Sequence, residues 1–257
     1  MKRRTFLQAT TAATALAGTN AIAAGAAEST ADYYEIRTYH LDSQAKQQLV
    51  ADYIKNAAFP AWKRLNIGPV GVFTEIGKDA TPSVHLLLTY KSVEQFASAR
   101  TDLEADAKYQ AAAKEYHSVK VDDPTFTRIE SSLLVAFDGM PKIEPETTNP
   151  RVLELRIYES YSEAKARRKV DMFNEGEIPI FGGVGLRPVF FGETLVGRNV
   201  PNLKYMLQTD SLEANQAGWK RFIVDPNWVK MRDIPKYADT VSKVTKIYLS
   251  PTEYSEI

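Results

Sequence analysis

The sequence predicts an α+β protein made of two tandem ferredoxin-like βαββαβ units, each a four-stranded antiparallel sheet with both helices on one face. Three observations predict it. The chain repeats itself at a fixed offset of 119 positions. Each copy holds short stretches of alternating apolar and polar residues, the period of a strand. Between them lie segments with helical spacing and capping residues at their starts.

The repeat runs without gaps from Glu35 to Glu94. Glu35, Arg37 and Tyr39 fall on Glu154, Arg156 and Tyr158, and Ser43, Ala45 and Lys46 on Ser162, Ala164 and Lys165. Pro60 falls on Pro179, Pro69 on Pro188, and Leu88, Ser92 and Glu94 on Leu207, Ser211 and Glu213. Two copies are too few for a solenoid, so the pattern reads as domain duplication. The first domain is placed at 30–138 and the second at 151–257. The segment 139–150, with its prolines and few apolar residues, reads as a linker short enough to keep the halves packed as an intramolecular pseudo-dimer.

The first strand is predicted over Tyr33–Leu41 and Val152–Ser160. The following helix starts near Ser43, with Leu49, Tyr53 and Ala57 as its apolar stripe. Pro60 and Pro179 are expected to kink or end it. Second strands are expected over Pro69–Ile76 and Pro188–Leu195, and third strands over Val84–Tyr90 and Leu203–Thr209. Ser92-Val93-Glu94-Gln95 and Asp210-Ser211-Leu212-Glu213 are read as capping boxes of the second helices. Last strands are expected over Ile129–Phe137 and Val244–Leu249.

The first 27 residues are read as an export signal rather than part of the fold. A basic start at Lys2, Arg3 and Arg4 precedes a mildly apolar stretch and the small residues around Ala21-Ile22-Ala23. The string Arg3-Arg4-Thr5-Phe6-Leu7 points to the twin-arginine route and a periplasmic or secreted location. The stretch is too short and too rich in Ala and Thr to anchor in a membrane, so no stable membrane span is expected once it is removed. Cleavage would leave 29 basic against 32 acidic residues. A formal net charge of zero for the full chain argues against nucleic acid as a partner. With no cysteine, disulfides, thiolate nucleophiles and iron–sulfur sites are excluded.

Strand parity sets the candidate site. Leu153, Leu155 and Ile157 share one face of their strand, and Glu154, Arg156 and Tyr158 the other. Tyr34, Ile36 and Thr38 oppose Glu35, Arg37 and Tyr39 in the same way. The apolar face is expected to meet the helices, so the polar rows look toward the other half and line the interior of a barrel formed by the two sheets. There each Glu–Arg pair either orients a ligand or acts as a structural ion pair. Paired arginines would oppose any rise in the carboxylate pKa, which disfavours a carboxylate base.

The strings Tyr33-Tyr34-Glu35-Ile36-Arg37-Thr38-Tyr39 and Val152-Leu153-Glu154-Leu155-Arg156-Ile157-Tyr158 resemble the opening strand of NIPSNAP-family domains. Asn66-Ile67-Gly68-Pro69-Val70-Gly71, Asp225-Pro226-Asn227-Trp228 and the terminal Leu249-Ser250-Pro251-Thr252-Glu253-Tyr254-Ser255 extend the resemblance over nearly all of the mature chain. It implies a dimeric α/β barrel, here within one chain, in a superfamily that includes cofactor-free monooxygenases, haem-degrading enzymes and isomerases. The first copy departs from the pattern, with Ala107-Lys108-Tyr109 where the second has Pro226-Asn227-Trp228.

The histidines, His40, His85 and His117, are not spaced as a metal or haem ligand set, so neither metal nor cofactor is predicted. No Gly-x-Ser-x-Gly or Gly-x-x-x-x-Gly-Lys string is present. No catalytic residue is assigned. The cavity-lining candidates are Glu35, Arg37, Tyr39, His85, Glu154, Arg156, Tyr158 and Trp228. Two functions stay open: a protein that binds a small, partly apolar organic molecule and acts on it without a cofactor, or an interaction scaffold whose polar rows are structural. Association into a further homo-oligomer is compatible with either.

Overall fold

The structure is a computed structural model that describes residues 31–144 and 151–257. The segment read from the sequence as an export signal and residues 145–150 of the expected linker lie outside them. Eight antiparallel strands close into one barrel: β1 (Tyr33–His40), β2 (Val70–Glu75), β3 (Ser83–Tyr90), β4 (Arg128–Ala136), β5 (Val152–Glu159), β6 (Arg187–Val196), β7 (Asn202–Thr209) and β8 (Lys243–Pro251). Their order around the barrel is β1-β3-β2-β8-β5-β7-β6-β4. Each half therefore contributes a four-stranded sheet, β4-β1-β3-β2 or β8-β5-β7-β6. The halves join at two seams. Phe73–Glu75 pair with Leu249–Pro251. Leu133–Ala136 pair with Gly192–Val196 across a bulge between Leu133 and Leu134. Closure leaves neither sheet an open edge.

The helices coat the outside. In the first half they are α1 (Gln44–Tyr53), α2 (Phe59–Arg64), α3 (Val93–Ala105), α4 (Ala107–Ala112) and α5 (Lys114–His117). In the second they are α6 (Glu163–Met172), α7 (Ile178–Gly183), α8 (Leu212–Phe222) and α9 (Pro226–Arg232). Ser43, Ser92, Ser162 and Ser211 each accept a backbone N–H at a helix start. The cap of α8 is Ser211, one residue beyond the Asp210 at which the predicted box begins. The first α-helices end at Tyr53 and Met172, ahead of the prolines, and the second copy is kinked at Gly176, whose φ of +158° is not helical. Each first helix widens into a single π turn, at Ile54–Ala58 or Phe173–Glu177. The proline then occupies the second position of the next helix, where its missing N–H leaves no helical bond unmade.

Three cores result. Tyr34, Ile36, Phe73, Leu87 and Leu134 from the first half meet Leu153, Leu155, Phe190, Met206 and Leu249 from the second, filling the barrel. Ile143 and Ile257 join this cluster, and Arg151 Nη2 donates to the backbone oxygen of Ile257 at 3.0 Å. Outside the barrel, each half has its own core between sheet and helices, around Val72, Leu86, Ile54 and Trp62 or around Phe173, Phe181, Phe191 and Tyr205.

This arrangement corrects the expected parity. Tyr34, Ile36, Leu153 and Leu155 face into the barrel, while the rows Glu35-Arg37-Tyr39 and Glu154-Arg156-Tyr158 face the helices. The inference that an apolar strand face must meet helices holds for a sheet with one covered side. A closed, helix-coated barrel buries both sides. The barrel interior takes the more apolar face of β1 and β5.

Candidate functional site

In the second half, the polar row of β5 opens into a cavity of about 800 Å³ between the sheet and α6, α8 and α9. Glu154 is fully buried and saturated with donors. Arg156 Nε donates to its Oε1 at 2.7 Å. Asn215 Nδ2 and Trp219 Nε1 donate to its Oε2 at 2.9 and 2.6 Å. Arg156 then reaches on along the strand, where Nη1 donates to the Tyr158 hydroxyl at 3.1 Å. Its guanidinium carbon lies over Trp219, 3.4 Å from the ring centre. Tyr205 donates to the same Tyr158 hydroxyl at 2.7 Å. Burial pushes the Tyr205 phenol well above its ordinary pKa, and neighbouring Tyr158 adds to the rise. It therefore serves as a neutral donor.

A second charged pair stands in the same wall. Lys169 on α6 donates to Glu177 Oε2 at 2.6 Å, and both side chains are at least 95% buried. Burial raises the Glu177 pKa, and the attraction of Lys169 only partly opposes the rise. The Lys169 ammonium also lies 4.6 Å from the Phe173 ring centre and 5.4 Å from that of Trp228. Trp228, Phe222 and Tyr237 supply the apolar and aromatic remainder of the lining.

The duplicate of this region in the first half is differently filled. Glu35 accepts Arg37 Nε and Nη2 at 2.8 and 3.0 Å, Tyr90 at 2.9 Å and Ser131 at 2.6 Å. The cavity beside it measures about 510 Å³. Tyr53 and Tyr109 share a 2.8 Å hydroxyl contact across it, and Tyr53 stacks on Tyr116 with ring centres 3.6 Å apart. At the repeat offset, Lys169 and Glu177 correspond to Val50 and Ala58, and Trp219 to Arg100. The second site is therefore an elaboration of one copy.

The eight sequence-derived candidates thus separate into four places. Glu154, Arg156, Tyr158 and Trp228 gather at the larger cavity, and Glu35 and Arg37 line the smaller one. Tyr39 is packed into the first-half core. His85 alone points into the barrel, bonded to Glu75 and Thr38. Sequence reasoning passed over Lys169, Glu177, Asn215 and Tyr205. Their signal was divergence between the copies: a charge at two positions of the first helix where the other copy has Val50 and Ala58. Among the described residues, no group of three or more His, Asp or Glu side chains is arranged to hold a metal. No helix among them is long and apolar enough to cross a membrane.

Two solved structures share the whole architecture. One is a Fusobacterium nucleatum protein provisionally named a monooxygenase. It is 8% identical with a TM-score of 0.55, and the likeness covers 86% of this chain and 92% of the other. The second, from Lactobacillus acidophilus and named in the same provisional way, is 10% identical with a TM-score of 0.54, over 86% and 94% of the chains. At these identities the likeness concerns the fold alone. An uncharacterised NIPSNAP-like domain protein from Burkholderia xenovorans is 19% identical over 42% of this chain and 90% of its own, with a TM-score of 0.37. No curated protein matches the chain by sequence. The NIPSNAP family profile matches twice, over residues 34–137 and 153–256. The chain belongs to the NIPSNAP family and carries two copies of its domain in tandem.

Proposed function

We propose that the second half binds a small, flat, partly apolar organic molecule with a negative or hydrogen-bond-accepting group, in the cavity between its sheet and helices. The observation that carries this reading is Arg156. Its guanidinium is fixed from one side by Glu154 and from one face by Trp219, yet it forms part of the wall of a cavity of about 800 Å³. That size is typical of small-molecule sites, and the lining has their composition: aromatic walls with a few fixed polar groups. Glu177, with its raised pKa beside Lys169, gives the cavity a group able to exchange a proton with a bound molecule. This extends the reading to cofactor-independent chemistry. The same reading has the protein exported, on the strength of Arg3-Arg4-Thr5-Phe6-Leu7.

The test is titration with 2-naphthoate, a flat aromatic anion, followed by quenching of tryptophan emission from Trp219 and Trp228. Saturable binding of one molecule per chain is expected. Trp228→Ala and Arg156→Lys should each weaken it by about tenfold or more, equivalent to roughly 1.4 kcal/mol. Arg37→Lys should leave it unchanged. No saturable quenching, together with no co-purified small molecule by native mass spectrometry, would reject the reading.

The first half favours a second, structural reading. There the Glu35 carboxylate spends four hydrogen bonds on its own sheet, and tyrosines occupy the adjacent space. That row is structural cement between β1, β3 and β4.

A further inference from the structure

The barrel interior is apolar at the end where β1 and β5 begin and polar at the end where they finish. At the polar end a chamber of about 250 Å³ is lined by Thr38, His85, Ser132 and Lys204, with His40, Glu130 and Arg198 toward its mouth. At about 30 Å³ per water-sized group, it holds a molecule of roughly eight non-hydrogen atoms. The chamber is separate from both sheet–helix cavities, because its residues project from the opposite face of the strands.

The duplication explains what is unusual there. His85 and Lys204 occupy equivalent positions on β3 and β7. His85 Nε2 lies 2.9 Å from Glu75 Oε1, and Nδ1 lies 3.1 Å from the Thr38 hydroxyl. In the second copy, Thr194 stands in place of Glu75 and bonds to Asn202 at 2.7 Å, so Lys204 has no matching acid. Lys204 is 7% exposed, and its ammonium donates to Ser132 Oγ at 2.6 Å. The other charges facing the chamber are mutually engaged. Glu75 is bound to His85, Glu130 to Arg128, Arg198 and His40, and Glu159 to Lys243, while β8 contributes Thr245 and Ile247. Lys204 is thus the one basic group of the chamber, among the described residues, with no carboxylate in contact.

We propose that this chamber is a second site, in which the Lys204 amine takes a small aldehyde or ketone as a Schiff base. The amine nitrogen adds to the carbonyl carbon to give a carbinolamine. Loss of the former carbonyl oxygen as water, with the two protons of the amine, leaves a C=N bond and requires no oxidant or reductant. Burial supports this chemistry by lowering the Lys204 pKa to about 8, with Glu130 opposing the shift through space. A usable share of the amine is therefore uncharged near neutrality. Ser132, bonded to Nζ, is placed to hold the amine in position.

The experiment treats the full-length protein with propanal and sodium cyanoborohydride, which reduces any imine to a stable propylamine. Peptide mass spectrometry then follows the rate at each lysine between about pH 6 and 11. Lys204 is expected to be labelled about tenfold or more faster than exposed Lys78 and Lys114 near neutral pH, with a rate midpoint near pH 8. Labelling of Lys204 no faster than those lysines would overturn the proposal, as would a midpoint above about pH 10. The assay needs no substitution, so misfolding of a variant does not confuse it. Its outcome is also independent of naphthoate binding in the other cavity.

Discussion

The guanidinium carbon of Arg156 lies over Trp219, 3.4 Å from the ring centre, and the same indole donates its N–H to Glu154, the carboxylate that holds Arg156. One tryptophan on α8 thereby closes a ring of contacts with two residues of β5. In the first half its counterpart is Arg100, which pairs instead with the exposed Glu104 one turn on. The two contributions of Trp219 can be separated by substitution. Trp219→Phe keeps a ring under the cation but removes a hydrogen bond to a buried ion. It should lower unfolding free energy by about 1.5–3 kcal/mol, as read by urea denaturation. A loss within about 0.5 kcal/mol would show that the indole N–H is not a significant support of Glu154.

The Lys169–Glu177 pair makes a pH-dependent prediction. Lys169→Met strands Glu177 as an uncompensated buried acid and should cost about 3–5 kcal/mol near neutral pH. A buried carboxyl whose folded pKa is raised binds a proton more readily folded than unfolded. Stability therefore returns as pH falls. The deficit of Lys169→Met relative to the natural protein should accordingly shrink as pH falls from neutrality toward the ordinary carboxylate range. Adding Glu177→Leu should restore the variant to within about 1 kcal/mol of the natural protein. A deficit that is flat with pH, or a double variant no better than the single, would contradict the pairing.

Much of this architecture is legible in the sequence, and the failure is instructive. All eight strands fall within two or three residues of where period and repeat predict them, because register and turns are local properties. The faces of β1 and β5 are inverted because parity reports which residues share a side and not which layer covers it. In a closed barrel Leu155 and Arg156 are both buried, so burial pattern cannot choose between the sides. The second-half site was half visible. Glu154 and Arg156 stand out as repeated charges in a strand, whereas Lys169 and Glu177 look like ordinary charges on a polar helix. The π turn at Phe173–Glu177 brings Glu177 to Lys169 eight residues before it, a pairing that the i,i+4 spacing of a regular helix does not announce.

Glu75 should make the barrel's polar end sensitive to acid. Burial by itself would raise its pKa, but hydrogen bonds from His85, the Thr81 backbone and Ser83 outweigh burial and hold it at about 2. A carboxyl with a depressed folded pKa contributes stability above its unfolded pKa, near 4.5, and loses that contribution as pH falls toward 2. The difference in unfolding free energy between the natural protein and Glu75→Gln should therefore be largest above about pH 5 and decline through this window. Urea titrations at several pH values measure it. A difference independent of pH would mean that the carboxylate charge plays no part in holding His85.

The closeness of α8 to its sheet rests on Gly218, whose counterpart in α3 is Ala99. A Cβ built on Gly218 would stand 2.6 Å from Leu186 Cδ2 and 2.8 Å from Leu186 Cγ, inside any real contact distance. Leu186 is fully buried in the second-half core, so it cannot swing aside into solvent. Alanine would gain up to about 1 kcal/mol of helix propensity over glycine. It would lose more by overpacking, for which about 1–3 kcal/mol is typical. Gly218→Ala should therefore be net destabilising in urea. Because α8 carries both Asn215 and Trp219, a small outward shift would also lengthen their bonds to Glu154. The variant should then bind 2-naphthoate more weakly although Gly218 does not line the cavity. The reverse exchange in α3, Ala99→Gly, should cost stability through propensity and lost packing while leaving naphthoate affinity unchanged. Equal effects of the two substitutions on affinity would show that helix placement in the second half does not set the site.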